Sequence, residues 1–340
     1  MATQKEVAEL AGVSFITVSR VINEMGNVKE ETRKKVQAAI EELNYYPNIL
    51  GRGLNQGLTK TIGVVASIPE DTSLESNQYY SSLLEGIESI CREKRFDLLL
   101  STQRITDMDF DYLRIYFERK ADGMIFLGDT DLSEKEINII DEENIPCVII
   151  GDRTENGKIS FVDTDNIQGG YDCTKRLIEL GHKRIAFLSV TSLNLNIHDR
   201  VIGYKNALEE SGITIDENLI GNGDYTETSG YNFMKYILEL ENKPTALISG
   251  TDHMAFGAFA YTLNHGIQVP EDISLVGFDA MDLIRFTNPP LSSNKQPLVQ
   301  MGKEAAEMLF HRIKNPYLDK EFKIFKISEF PGKSIADLRK

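Results

Sequence analysis

Through the first forty-odd residues, apolar side chains recur three and four positions apart. From Thr61 onward they gather instead into short unbroken runs, separated by amphipathic stretches. The first spacing belongs to helices buried along one side, the second to strands covered on both faces by helices. At the start, Thr3 is a good helix N-cap, and Glu6 three residues later completes a capping box. The spacing predicts a helix to Ala11 that buries Val7, Ala8, Leu10 and Ala11. Gly12 supplies a tight turn. Ser14 caps a second helix with Val18, Val21 and Ile22 inward, leaving Phe15, Ile16, Ser19, Arg20 and Asn23 outward. A third helix, about Glu30 to Leu43, carries Val36, Ala39, Ile40 and Leu43 on one face. Two short helices joined at a glycine, the second polar outside, read as a helix-turn-helix; an ordinary helical hairpin is the plain alternative.

In the body of the chain, strands are expected at Ile62–Ile68, Asp97–Ser101, Gly123–Leu127, Cys147–Ile150, Ser160–Val162, Arg184–Val190, Ala246–Ser249 and Ile273–Phe278. Helical stretches fall between them: Tyr79–Lys94, Tyr112–Arg119, Gly170–Leu180, Gly203–Ser211, Ser229–Leu240 and Met254–His265. Strands alternating with helices of 10–15 residues make βαβ units and parallel sheets. The body is too long for one such sheet, and a new series starts near Phe161. The expected fold class is therefore α/β, with two parallel-sheet lobes behind a three-helix unit. Ligands bind beyond the carboxyl ends of such strands, so two facing lobes form a cleft for a small molecule.

Composition narrows the class. The chain has 340 residues, 41% of them hydrophobic. With no apolar run of 18, a soluble protein of two or three domains is expected. Met1-Ala2-Thr3 leads straight into the first helix, so no secretory leader is expected. Cys91, Cys147 and Cys173 lie in apolar segments without CxxC spacing. Neither a disulfide framework nor a zinc site follows, and a reducing cytoplasm fits. The net charge of −15 is unevenly placed. Residues 1–60 hold eight Lys/Arg and seven Asp/Glu, while the other 280 hold 29 and 45. The acidic bulk thus sits away from the helix-turn-helix, whose non-specific DNA binding is expected to be weak and salt-sensitive.

The residues Val7-Ala8, Ala11-Gly12-Val13-Ser14, Thr17-Val18-Ser19-Arg20-Val21-Ile22-Asn23, Thr32-Arg33, Leu43-Asn44-Tyr45, Pro47-Asn48 and Leu54 together resemble the lactose-repressor (LacI/GalR) family of bacterial transcription regulators. The likeness continues through Leu180-Gly181-His182, Arg200 with Gly203-Tyr204, Asp252 with Met254-Ala255, Val276-Gly277-Phe278-Asp279 and Pro290-Leu291-Ser292-Ser293 with Gln296. The resemblance implies a helix-turn-helix domain over 1–46, a hinge helix or linker over 47–60, and an effector-binding and dimerisation domain over 61–340. This last domain is periplasmic-binding-protein-like, its N-subdomain about 61–160 plus 294–323 and its C-subdomain about 161–291 plus 324–340. The tail from Phe330 departs from the family's usual ending.

By the same resemblance the second helix lies in the major groove. Phe15 and Ile16 occupy the sequence-reading positions, where apolar side chains reach thymine methyls but offer no hydrogen bonds. Specificity then leans on Ser19, Arg20 and Asn23, with Arg20 the candidate for a bidentate guanine contact. Thr3, Thr17, Asn27, Thr32, Tyr45 and Asn48 are expected to contact the DNA, mostly at phosphates that fix register. Leu54 is the expected minor-groove wedge. Gly51 and Gly53 weaken the hinge helix, each by about 1 kcal/mol against Ala. Lys29 stands where a capping hydroxyl is usual, so the third helix is expected to start poorly capped.

For the small molecule, Arg200 supplies a planar fork of donors, and Asp279, directly after an apolar strand, supplies two acceptors. The family uses matching residues to hold sugar hydroxyls; an interlobe or helix-cap ion pair is the alternative. Tyr225 is a candidate to stack on a sugar ring, and Ser67 to donate from the other lobe. Asp152, Asn196, His198, Thr251, Asp252 and Gln296 complete the candidate set. Thr251 stands where many family members carry Asn, which leaves the sugar open.

The reading is a cytoplasmic, sequence-specific repressor of carbohydrate genes, bound as a homodimer to a pseudo-palindromic operator and controlled by a sugar or sugar phosphate. The apolar stripe Tyr80, Leu83, Leu84 and Ile87 suits either the dimer surface or the intramolecular core. Two other functions compete: a regulator that binds DNA better with a purine or a phosphoprotein, and a solute-binding protein of the same architecture. No nucleophile–base pair, phosphate loop or metal ligand set is evident, so no catalytic residue, cofactor or metal is expected.

Overall fold

The computed structural model describes residues 2–22, 25–26, 28–46, 58–68, 78–104, 111–128, 132–154, 156–190 and 195–340. Asn23, Asn27, Asn48 and Leu54, with the hinge glycines 51 and 53, lie outside the described residues. The chain divides into two compact units, Met1–Thr59 and Lys60–Lys340.

The first unit holds helices Gln4–Ala11, Phe15–Ile22 and Glu30–Glu42 around a core of Val7, Ala8, Val18, Val21, Val36 and Ala39. Gly12 takes the left-handed conformation (φ 62°) that ends the first helix, and Ser14 accepts from the Thr17 amide at 3.2 Å to open the second. One expectation fails. Leu10 is exposed. Val7, Ala8 and Ala11 define the inward stripe, and at 100° per residue Leu10 falls well off its centre.

The second unit contains two six-stranded sheets. The first is built from β1 (Thr61–Ile68), β2 (Asp97–Arg104), β3 (Gly123–Leu127), β4 (Cys147–Ile150), β5 (Ser160–Thr164) and β11 (Phe322–Phe325). It is parallel throughout, in the order β11-β5-β4-β3-β1-β2. The second contains β6 (Ile185–Val190), β7 (Ile220–Gly223), β8 (Ala246–Ser249), β9 (Ser274–Asp279), β10 (Ser292–Lys295) and β12 (Ser328–Phe330). Its order is β12-β10-β9-β8-β6-β7, with only β12 antiparallel. Each sheet is covered on both faces, which is why its strands read as unbroken apolar runs.

Sheet membership differs from expectation at the crossings. The second series does not start at Phe161, because β5 pairs with β4 and closes into the first sheet. Strand β10, through Lys295, still belongs to the second sheet, and β11 extends the first to Phe325. A buried apolar run carries no mark of which neighbour it joins.

The stripe Tyr80, Leu83, Ile87 is fully buried, with Leu84 packed beside it, in the core of the first lobe. Helix Gln78–Lys94 lies against helix Leu298–Lys314 so closely that a Cβ on Gly86 would stand 2.1 Å from the Val299 carbonyl oxygen. The stripe therefore serves the core of the first lobe. Among the described residues no helix is long and apolar enough to cross a membrane.

Candidate functional site

On the first unit, Phe15 and Ile16 are 48% and 62% exposed, with Arg20 exposed beside them and Ser19 partly buried. Apolar side chains left this far in water on a one-core unit are available to a partner surface. The Thr3 hydroxyl is already bonded to Glu6 in a complete capping box, and Thr17 Oγ lies 2.9 Å from Ser14 Oγ. Both threonines therefore shape helix starts. Lys29 provides no side-chain cap to the third helix. Thr32 and Tyr45 are partly buried, and Tyr45 packs on the small core.

In the second unit the strand ends of both sheets face one cleft. Arg200 sits on helix Leu195–Glu210, which packs against helix Asn166–Glu179 at a glycine crossing. A Cβ on Gly170 would stand 2.1 Å from the Arg200 carbonyl oxygen, and one on Gly203 2.0 Å from that of Ile167. So close an approach drives Arg200 inward, where only 4% of it is exposed. Its Nε donates to Asn166 Oδ1 at 2.9 Å and its Nη1 to the Gly250 carbonyl at 2.6 Å. The guanidinium carbon stands over the Phe278 ring, 3.6 Å from its centre. Two of its five donors are thereby spent on fixing the plane, and the rest are held ready.

Asp279 ends β9 in an uncommon backbone conformation, φ 110°, followed by Ala280 at φ 55°. Two bonds hold this bend: the Ala280 amide donates to Ser293 Oγ at 3.1 Å and the Met281 amide to Asp252 Oδ2 at 2.7 Å. Ser293 Oγ also donates to Asp252 Oδ1 at 2.7 Å. Asp252 is wholly buried, and both its oxygens serve this bend. Backbone strain of this kind persists where surrounding bonds over-determine it, and it gathers at ligand sites. Asp279 Oδ1 accepts from Gln296 Nε2 at 2.7 Å, and Gln296 Oε1 accepts from Thr164 of the first lobe at 2.9 Å. Asp279 Oδ2 has no hydrogen bond among the described residues. Burial pushes the Asp279 carboxyl up to about 6, against the opposing pull of Arg200.

Bonds made by the chain itself also join the lobes. Arg153 Nη1 pairs with Asp199 Oδ2 at 2.8 Å, Asn196 donates to the Gly151 carbonyl, and Gln78 accepts from the Asp282 amide at 2.7 Å. Beside Asp279 and Gln296 opens a cavity of about 440 Å³, with Gln78, Tyr79 and Lys295 also on its wall. That volume is ordinary for a small-molecule site.

Arg200, Asp279, Gln296 and Asn196 are thus brought together. Tyr225, at φ 70°, packs on the second lobe's core while interacting electrostatically with Arg200. Asp152 accepts from the Arg153 amide at 2.8 Å. Three candidates, Thr251, Ser67 and Asp252, have other occupations, and a fourth, His198, turns away from the site. Thr251 caps helix Asp252–Asn264, Ser67 Oγ accepts from Gln103 within the first lobe, and His198 lies exposed, half a turn from buried Asn196 and Arg200. Sequence reasoning missed Tyr79, Arg153, Asp163, Asn166 and Asp199. The strand-end rule that picked Asp279 applies equally to β5, and it would have found Asp163 and Asn166.

Residues 3–48 match bacterial regulatory proteins of the lacI family, and residues 174–326 match a periplasmic binding protein-like domain. The HTH-type transcriptional repressor PurR of Vibrio atlanticus is 37% identical over 329 residues, 96% of each chain. Catabolite control protein A of Priestia megaterium is 36% identical over 318 residues, 93% of this chain and 92% of that one. Among solved structures, the CelR–cellobiose complex is 31% identical with a TM-score of 0.74, over 98% of this chain and all of that one. The Lac repressor dimer bound to operator and the anti-inducer ONPF is 26% identical with a TM-score of 0.85, over 98% and 99%.

Proposed function

The chain belongs to the lacI family of bacterial regulatory proteins, and from that premise we propose that it is a cytoplasmic repressor which binds operator DNA as a homodimer and releases or grips it according to a sugar-class molecule held between its lobes. The observation that carries this reading is the meeting of a pinned guanidinium, Arg200, with a bent strand end, Asp279, at one cleft. Planar donors and a fixed carboxylate suit vicinal hydroxyls, which offer a donor and an acceptor side by side. A relative of similar length has been solved with cellobiose, and others with ribose. Coupling needs only that the ligand favour one arrangement of the lobes. Dimerisation would set two recognition helices on a pseudo-palindromic site about one DNA turn apart.

The test is fluorescence anisotropy of the full chain on promoter fragments from its own locus, with and without a panel of sugars. Tight binding to one fragment, altered at least tenfold by one sugar, supports the proposal. Indifference to every fragment overturns it. The relatives named PurR favour a second reading, in which a small corepressor strengthens DNA binding. A panel sugar that tightens the complex would separate that sign of control from induction.

A further inference from the structure

Resting on the sugar-controlled reading above, we infer that the effector is an uncharged polyhydroxyl, a free sugar rather than a sugar phosphate, and that Asp163 is a further residue that binds it. Asp163 lies in β5 at the cleft end of the first sheet and is 1% exposed. Its Oδ1 accepts from the Thr164 amide at 2.7 Å and from Asn166 Nδ2 at 3.2 Å. Asn166 is the residue that orients Arg200. Its Oδ2 has no hydrogen-bond partner and stands 3.7 Å from Arg153 Nη1, which is committed to Asp199 at 2.8 Å. A buried carboxylate oxygen without a donor is costly, and a hydroxyl from a ligand would remove that cost.

Charge decides between a free and a phosphorylated sugar. Among the described residues the cleft and the cavity beside Asp279 present Asp152, Asp163, Asp199, Asp279 and Asp282 against Arg153, Arg200, Arg285 and Lys295. His253, which also faces Asp279, has its Nδ1 3.1 Å from Glu227. Arg153 is matched by Asp199, Arg200 makes no ion pair within 4 Å among the described residues, and the remaining balance is negative by one charge. A phosphate dianion would enter against that field after losing its water, whereas hydroxyls donate to the spare acceptors Asp163 Oδ2 and Asp279 Oδ2. Burial pushes the Asp163 carboxyl up to about 6, as an acceptor awaiting donors would be.

The experiment is titration calorimetry on the full chain with glucose, galactose, fructose, ribose and cellobiose, the matching monophosphates, and hypoxanthine and guanine. The expected result is binding by at least one free sugar and at least tenfold weaker binding by its phosphate. Asp163→Asn should weaken that sugar by about ten- to a hundredfold, with the unliganded melting temperature no lower than wild type. A phosphate that binds more tightly than its parent sugar, or full affinity in Asp163→Asn, overturns the inference and leaves the sugar-controlled reading standing. Binding by a purine base alone, or by no member of either sugar series, overturns that reading and the inference with it.

Discussion

Arg153, just beyond β4 in the first lobe, and Asp199, on a helix of the second, close an ion pair of 2.8 Å across the cleft. The Arg153 side chain is 28% exposed and that of Asp199 11%, so water screens the pair only in part. Such a pair is worth about 1 kcal/mol, the upper end of what exposed pairs give. It favours the closed arrangement before any ligand arrives. Asp199→Asn should therefore lower the closed population, and with it the apparent effector affinity, by about fivefold. Calorimetry with whichever sugar binds the wild type checks this; an unchanged affinity would mean that the pair does not hold the lobes.

Proton uptake at the cleft should weaken effector binding in mild acid. Burial raises the Asp163 and Asp279 carboxyls to about 6. Below that pH each becomes neutral, loses its attraction to Arg153 or Arg200, and accepts more weakly. Affinity should thus fall as pH drops from 7 to 5. The stability of the free protein runs the other way. Folded carboxyls at about 6, against about 4 unfolded, take protons that the unfolded chain does not. Their contribution is full below about pH 4 and is lost as pH rises through 6. Affinity measured against pH, in the wild type and in Asp279→Asn, decides the matter: the variant should show the shallower fall.

What could be read from the sequence divides along physical lines. Asp279 was legible because it directly follows an apolar strand, whereas Arg200 was chosen for its planar fork of donors and by the family resemblance, the expected helix starting only at Gly203. The partners of Arg200 were not legible, since Asn166 and Gly250 lie 34 and 50 residues away and meet it only through sheet order. Asp252 and Thr251 were chosen as ligand groups for their polarity and position. In the structure one secures the bend after β9 and the other caps a helix, tasks that also require buried oxygen atoms. The lobe boundary was misplaced at Phe161 for a related reason: β5 is buried whichever sheet it joins, and nothing in its five residues marks its neighbour as β4.

The glycine crossing under Arg200 gives a sharper test of placement. Adding one methyl at Gly170 would set a carbon 2.1 Å from the Arg200 carbonyl oxygen, a backbone atom that cannot rotate away. The two helices must separate, which costs about 1–3 kcal/mol. Gly170→Ala should lower the urea midpoint accordingly and weaken effector binding beyond what stability alone explains, because Arg200 moves with its helix. A variant that keeps both would show that the crossing has slack.

On the DNA-binding unit, exposure separates the candidate readers from the core. Ile16 is 62% exposed while Val18, two residues on, is fully buried. Val18→Ala removes two methyls from a core of six small side chains and should cost about 1–3 kcal/mol of stability in that unit. Ile16→Ala should leave stability unchanged and reduce specific operator affinity, with non-specific binding intact because phosphate contacts carry the latter. If Ile16 reads a thymine methyl, replacing that thymine by uracil in the operator removes the same contact from the other side. The wild type on uracil DNA should then bind as weakly as Ile16→Ala on thymine DNA, and combining both changes should add nothing. Additive losses in anisotropy titrations would place Ile16 and the methyl in separate contacts.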